Sequence, residues 1–203
     1  METDKSAIEL LQAFASQSNR KINFSKKHYP TSALNPRLLT QSYVVIPNQT
    51  RPTSFFMSYC DLKGFGDNAF YSGIFFEIPT PLSTLIRIRE KDILDKLNPF
   101  LKKSTYKTRN RAFDSRMVIS ENDFSWTNKI FYSTQIQNAI LEILQLDNRL
   151  RIGVNAIELK HEPALEGKSN FGIYITGEWL LEEALIEKLF ALSEEIRKQL
   201  ILN

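Results

Sequence analysis

Between Thr53 and Glu90 three segments rich in β-branched and aromatic residues follow one another: Ser54 to Leu62, Ala69 to Ile78 and Thr84 to Arg89. Such residues suit a pleated, half-buried surface, and turn-forming residues separate the segments. Lys63-Gly64-Phe65-Gly66-Asp67-Asn68 supplies two glycines and an Asp-Asn pair, all tolerant of positive φ, and Pro79-Thr80-Pro81 makes the next turn. The three strands are therefore expected to form an antiparallel meander. In the third, apolar and basic residues alternate, which turns Ile86 and Ile88 to the core and leaves Arg87 and Arg89 for solvent or a partner.

Around this unit the pattern changes period. Ile8, Leu11, Phe14 and Ala15 form a stripe at helical spacing, predicting a helix over 5–17 capped by Asp4. From Arg20 to Pro52 the prolines at 30, 36, 47 and 52 leave room only for short strands such as Tyr43 to Ile46. Asp92 to Leu97 reads as a short helix stopped by Pro99, and Met117 to Ile119 as a strand. Ile136, Ile140, Ile143 and Leu144 share one face of a helix over 135–146, with Thr134 and Gln137 placed as a capping box. Alternation over 149–160 slips phase near Asn155-Ala156, which predicts a bulge or bend. A strand over 171–176 and a break at Gly177 precede a last helix over 178–201. Its inner face is expected to hold Leu181, Leu185, Leu189, Leu192, Ile196 and Leu200, with Glu182, Glu183, Glu187, Glu194 and Lys198 outward. This order fits an α+β fold, a mostly antiparallel sheet with helices packed on one face. One domain over 1–203 is expected, the alternative being a subdomain junction near 102–111.

The composition, 42% hydrophobic and 24% charged over 203 residues, is that of a chain able to bury a core. Its apolar runs, such as Ile74 to Phe76 and Ala139 to Leu141, are broken by Glu77 and Glu142, so no transmembrane helix is expected. Met1 to Lys5 carries mixed charge and leads into an amphipathic segment, which reads as a cytoplasmic start. The single cysteine, Cys60, lies in an apolar stretch where a thiol packs as a small hydrophobe. Charge is split along the chain: residues 1–116 hold 18 Lys and Arg against 10 Asp and Glu, and residues 117–203 hold 8 against 13. The split suits mutual attraction within one domain or a dipolar surface for an anionic partner.

Motifs that carry chemistry are sparse. His28 and His161 stand far apart without a cysteine or dense carboxylate cluster, so no metal is expected, and His161 reads as part of a surface turn. Gly64-x-Gly66 lacks the third glycine and following helix of a dinucleotide fingerprint. Gly167-Lys168-Ser169 lacks the earlier glycine of a phosphate loop and leads into a strand. Both read as turns, and no cofactor is expected. Glu158, Glu162 and Glu166, or Asp61, Asp67 and Glu77, would serve acid–base chemistry only if two met in a cleft.

The densest local feature is basic: Lys102, Lys103, Lys107, Arg109 and Arg111 surround Tyr106 with no acid among them. Cations neutralise phosphates and an aromatic ring stacks on a base, so the stretch suits an anionic surface, whether nucleic acid or membrane. A solvated linker is the other reading. Phe65, Phe113, Phe124 and Trp126 fall outside the expected elements, as plugs at the sheet ends or as a patch for a protein partner.

Phe70-Tyr71-Ser72-Gly73-Ile74-Phe75-Phe76-Glu77-Ile78, with Phe113 to Ile119 and the helix and strands that follow, resembles an uncharacterised bacterial domain family with an F-x-x-G-x-F-F strand. The resemblance covers at most residues 70–176, and it implies no catalytic residues. The reading that emerges is a non-catalytic binding or scaffold domain working through a sheet edge or the basic stretch. The alternative is an enzyme acting on a small anion, with Asp61 or Glu77 beside a cation such as Arg87.

Overall fold

The computed structural model describes residues 6–31, 39–49, 53–91, 106–159 and 161–202. The sequence-expected helix at Asp92–Leu97, and the residues Asp4, Lys102 and Lys103, lie outside them.

Helix α1 (Ala7–Gln17) opens with a capping box on Ser6, two residues later than Asp4. The Ser6 hydroxyl accepts from the Glu9 amide at 3.4 Å, and the Glu9 carboxylate accepts from the Ser6 amide at 2.6 Å. Strands β1 (Asn23–His28), β2 (Thr40–Pro47), β3 (Phe55–Asp61), β4 (Phe70–Glu77) and β5 (Ile86–Glu90) follow. Helix α2 (Arg111–Arg116) leads into β6 (Met117–Glu121), and then come α3 (Phe124–Phe131) and α4 (Thr134–Leu146). Strands β7 (Arg151–Val154) and β8 (Asn170–Thr176) precede the long α5 (Glu183–Leu202).

The eight strands form one sheet in the order β1-β2-β3-β4-β8-β7-β5-β6, every neighbouring pair antiparallel. The α+β class therefore holds, but the expected three-strand meander does not. β3 and β4 make the hairpin, with Gly66 at φ +72° in its turn, whereas β8 and β7 stand between β4 and β5. The proline-bearing link after β4 runs across the sheet end instead of turning back. Asn155 pins it there, donating to the carbonyls of Pro81 and Thr84 at 3.2 and 2.8 Å. Asn155 has φ +50°, a conformation asparagine tolerates better than most residues, and this is the bend that the slipped alternation marks.

β8 can occupy the centre because it is buried on both faces. Its pairing with β4 depends on two glycines. A Cβ on Gly73 would run into the Ile173 carbonyl oxygen and lie 2.6 Å from the Tyr174 Cα, and one on Gly172 would lie 2.6 Å from the Phe75 ring. Each bare position faces an aromatic residue of the opposite strand, Gly73 opposite Tyr174 and Phe75 opposite Gly172.

One face of the sheet, with Val44, Ile46, Phe56, Ile74, Phe76 and Ile173, packs with α1, α4 and α5 into the larger core. The other face, with Val45, Phe55, Met57, Tyr71, Phe75 and Tyr174, is covered by Ala156, Ile157, Leu159 and Leu165 of the β7–β8 connection. The helices thus lie on one face and a loop covers the other. No helix among the described residues is long and apolar enough to cross a membrane.

Candidate functional site

At the end of the sheet where β3 begins and β4 finishes, the helix layer and the covering loop part to leave a groove of about 1020 Å³. Thr53 and Phe55 enter it from the approach to and first residue of β3, Glu77 to Thr80 from the exit of β4, Ala164, Leu165 and Lys168 from the covering loop, and Arg197, Leu200 and Ile201 from α5. The remaining wall is α3. Asp123 caps that helix, accepting from the Trp126 amide at 3.1 Å, and its carboxylate also accepts from the Thr84 hydroxyl at 3.2 Å. With Thr127, Ile130 and Phe131 turned into the core, Trp126, Lys129 and Tyr132 are left along the groove. Tyr132 is 84% exposed.

The groove is apolar at its base and cationic at its sides. Lys168 pairs with Glu77 at 2.8 Å and Arg197 with Glu194 at 2.9 Å, so two of its three cations are matched. The Lys129 ammonium lies 4.2 Å from the Trp126 ring centroid and, among the described residues, has no carboxylate partner. Glu194 also accepts from Asn48 at 2.7 Å, Thr53 at 2.6 Å and Ser54 at 3.0 Å. Burial raises its pKa, but the hydrogen bonds from Thr53, Arg197 and Ser54 outweigh that and hold the carboxyl below its ordinary value. The buried Thr80 hydroxyl in the groove wall has no hydrogen-bond partner among the described residues.

The basic stretch is placed differently from its sequence reading. Tyr106 does not present a stacking face: it is 9% exposed, its hydroxyl donates to Asn128 at 2.9 Å, and its ring packs near Phe124 and Phe131. Burial pushes its pKa up. Lys107, Arg109 and Arg111 are exposed on a segment built into the fold. Thr108 donates twice to Asp114, each at 2.9 Å, and Asn110 caps α2 while donating to Gln137 at 2.7 Å. The ring that was to read a base instead buttresses α3 from behind, since Asn128 lines the groove.

Asp61 and Glu77 do not meet. The register puts them at opposite ends of the β3–β4 hairpin, more than about 20 Å of strand apart, and Arg87 lies three strands from β4. Asp61 instead accepts from the Tyr29 hydroxyl at 3.0 Å and from the Lys63 amide at 2.9 Å. Glu162 shapes the covering loop, accepting from the Ala164 amide at 3.0 Å. His161 is not a plain surface turn, because its ring stacks on Tyr43 and Tyr59, with centroids at 4.5 and 5.1 Å. His28 is exposed on β1. Cys60 is half-buried, and burial first, with Asp61 second, pushes its thiol up. Gly66 and Gly167 serve turns, both at positive φ.

Sequence reasoning missed Lys129, and with it α3. The signal was Asp123 as a cap, followed by Thr127, Ile130 and Phe131 at helical spacing, but α3 has 8 residues and its Ser, Thr and Asn are weak helix formers. Of the loop aromatics, Phe113 belongs to the core, Phe65 and Phe124 are exposed, and Trp126 lines the groove. In comparisons with family models, curated proteins and solved structures, nothing matches this chain.

Proposed function

We propose that this chain is a non-catalytic binding domain whose working surface is the groove at the sheet end. The observation that carries this reading is a concave, apolar-based space of about 1020 Å³, the size of sites that take up small organic molecules. Its carboxylates support binding over acid–base chemistry, since Glu77 and the adjoining Glu194 are each engaged by a cation. The basic stretch contributes from behind, through Tyr106 and Asn128, by fixing the wall that α3 provides.

The test uses N-phenyl-1-naphthylamine, a neutral dye that brightens in apolar surroundings. Ala164 is exposed and lines the groove, so Ala164→Trp narrows it from a position that folding tolerates. Saturable one-site binding is expected in the parent chain, weakened about tenfold or more in the variant as contact area is lost. Absence of saturable binding, or equal affinity in a variant with unchanged circular dichroism, would show the groove is not the working surface.

A further inference from the structure

Resting on the groove reading, we infer that the natural occupant is an amphipathic organic anion, a monomeric acid whose apolar body lies on the groove base and whose head meets Lys129. Three observations converge on the head. Lys168 and Arg197 are each matched by a carboxylate, while Lys129 is left with only the Trp126 ring among the described residues. A lysine over an indole gains from the ring quadrupole, yet the N–H donors on the side away from the ring stay available for an anionic oxygen. Thr80 also lines the groove, and its hydroxyl is closed off from solvent and unpartnered among the described residues, so a turn of that side chain toward an acceptor in the groove would supply a second donor and relieve the cost of an unmet buried polar group. The base beneath them is apolar, with Phe55, Ile78, Ile130 and Leu165 each nearly buried. A fully charged ligand would find little to meet its charge on that base, and a fully apolar one would leave Lys129 and Thr80 unused.

The two donors separate what the sites of this groove do. Lys129 selects for charge, through an attraction that salt screens over about 8–10 Å. Thr80 selects for an acceptor, and its contribution is independent of salt to first order because the hydroxyl is neutral. The apolar base sets the affinity common to all heads.

The experiment displaces bound N-phenyl-1-naphthylamine with three ligands sharing one decyl chain: decanoate, decanol and decyltrimethylammonium. Decanoate is expected to displace the dye at about fivefold lower concentration than decanol, the effect of one partly screened ion pair, and the cation to be weakest. In Lys129→Gln the decanoate-to-decanol ratio should fall to about one, and in the parent chain it should shrink as salt is raised. Thr80→Val, which keeps the shape and removes the donor, should weaken decanoate and decanol alike, since both carry an acceptor oxygen, and leave their ratio and its salt dependence unchanged. Equal displacement by decanoate and decanol in the parent chain would overturn the inference and leave the groove reading standing. A decanoate preference that survives Lys129→Gln would overturn the assignment of the head site. If dye binds and none of the three ligands displaces it, the inference falls; if the dye itself does not bind, the groove reading falls with it.

Discussion

Glu194 joins the last helix to Asn48, Thr53 and Ser54 at the border of the groove. Its carboxylate is acceptor-only and receives donors from Asn48, Thr53, Ser54 and Arg197, whereas an amide in its place offers one oxygen and turns an NH2 group toward some of those donors. Because its folded-state pKa lies below the ordinary value, the stabilisation is complete above the unfolded pKa and is lost as pH falls through the folded one. Glu194→Gln is therefore expected to cost about 1–2 kcal/mol at neutral pH. The difference should shrink steadily as pH is lowered to about 2, which urea midpoints measured at stepped pH would show. A gap constant across that range would contradict the assignment. The helical stripe in the sequence places Glu194 outward, and this is correct relative to α5 itself. A stripe reports one helix's own faces, and nothing in it shows that Asn48, Thr53 and Ser54 come onto that side. Tyr106 misleads for the same reason: its neighbours are charged in sequence, but its ring points the other way.

At the scale of elements, legibility followed the strength of local signals. The β3–β4 hairpin was readable because glycines and Asp-Asn mark its turn, and α4 because its four core residues share a face. The cap of α4 falls on Ser133, and the expected capping partner Gln137 instead donates to the Phe131 carbonyl at 2.7 Å. β1 was not readable, since Asn23-Phe24-Ser25-Lys26-Lys27-His28 has no apolar alternation to show. It lies at the sheet margin and is exposed along nearly its whole length, where lysines discourage further pairing. The position of β5 is not legible locally: sequence order puts it beside β4, while β8 carries the glycine that complements β4. This makes Gly73 a test of the pairing. Gly73→Ala forces a methyl against the backbone of β8, where no flexible side chain can yield, and is expected to cost about 1–3 kcal/mol or more. Ala at Gly66, whose Cβ meets nothing, would carry only the strain of positive φ. Urea unfolding of the two variants should rank Gly73→Ala as the less stable, and the reverse order would show that β4 and β8 are not so closely paired.

For the whole molecule, the groove was beyond reach of the sequence because its walls come from five stretches between Thr53 and Ile201 that meet only after the sheet is assembled. Charge bookkeeping did not reveal the assembly either. Arg20–Glu187 follows the basic-to-acidic split, but Arg151–Asp67 and Lys168–Glu77 run against it. What unites the halves is burial. The larger core runs from Leu11 to Ile196, and Arg20 adds a crossing point: it donates to the Asn48 carbonyl at 2.9 Å, lies over Phe14 and Phe190, and pairs with Glu187. A junction near 102–111 would have to divide that core, in which Ile74 and Phe76 share packing with α5. One cooperative transition is therefore expected. Fluorescence of Trp126 and Trp179 reports the second half of the chain, and far-UV circular dichroism reports both, including β1 to β4. The two probes should trace one urea curve with one midpoint. Fluorescence that changes while ellipticity is still partly retained would mean that the strands before residue 102 hold together on their own, and that the groove, whose walls come from both sides of that point, is assembled by the docking of two separately stable parts.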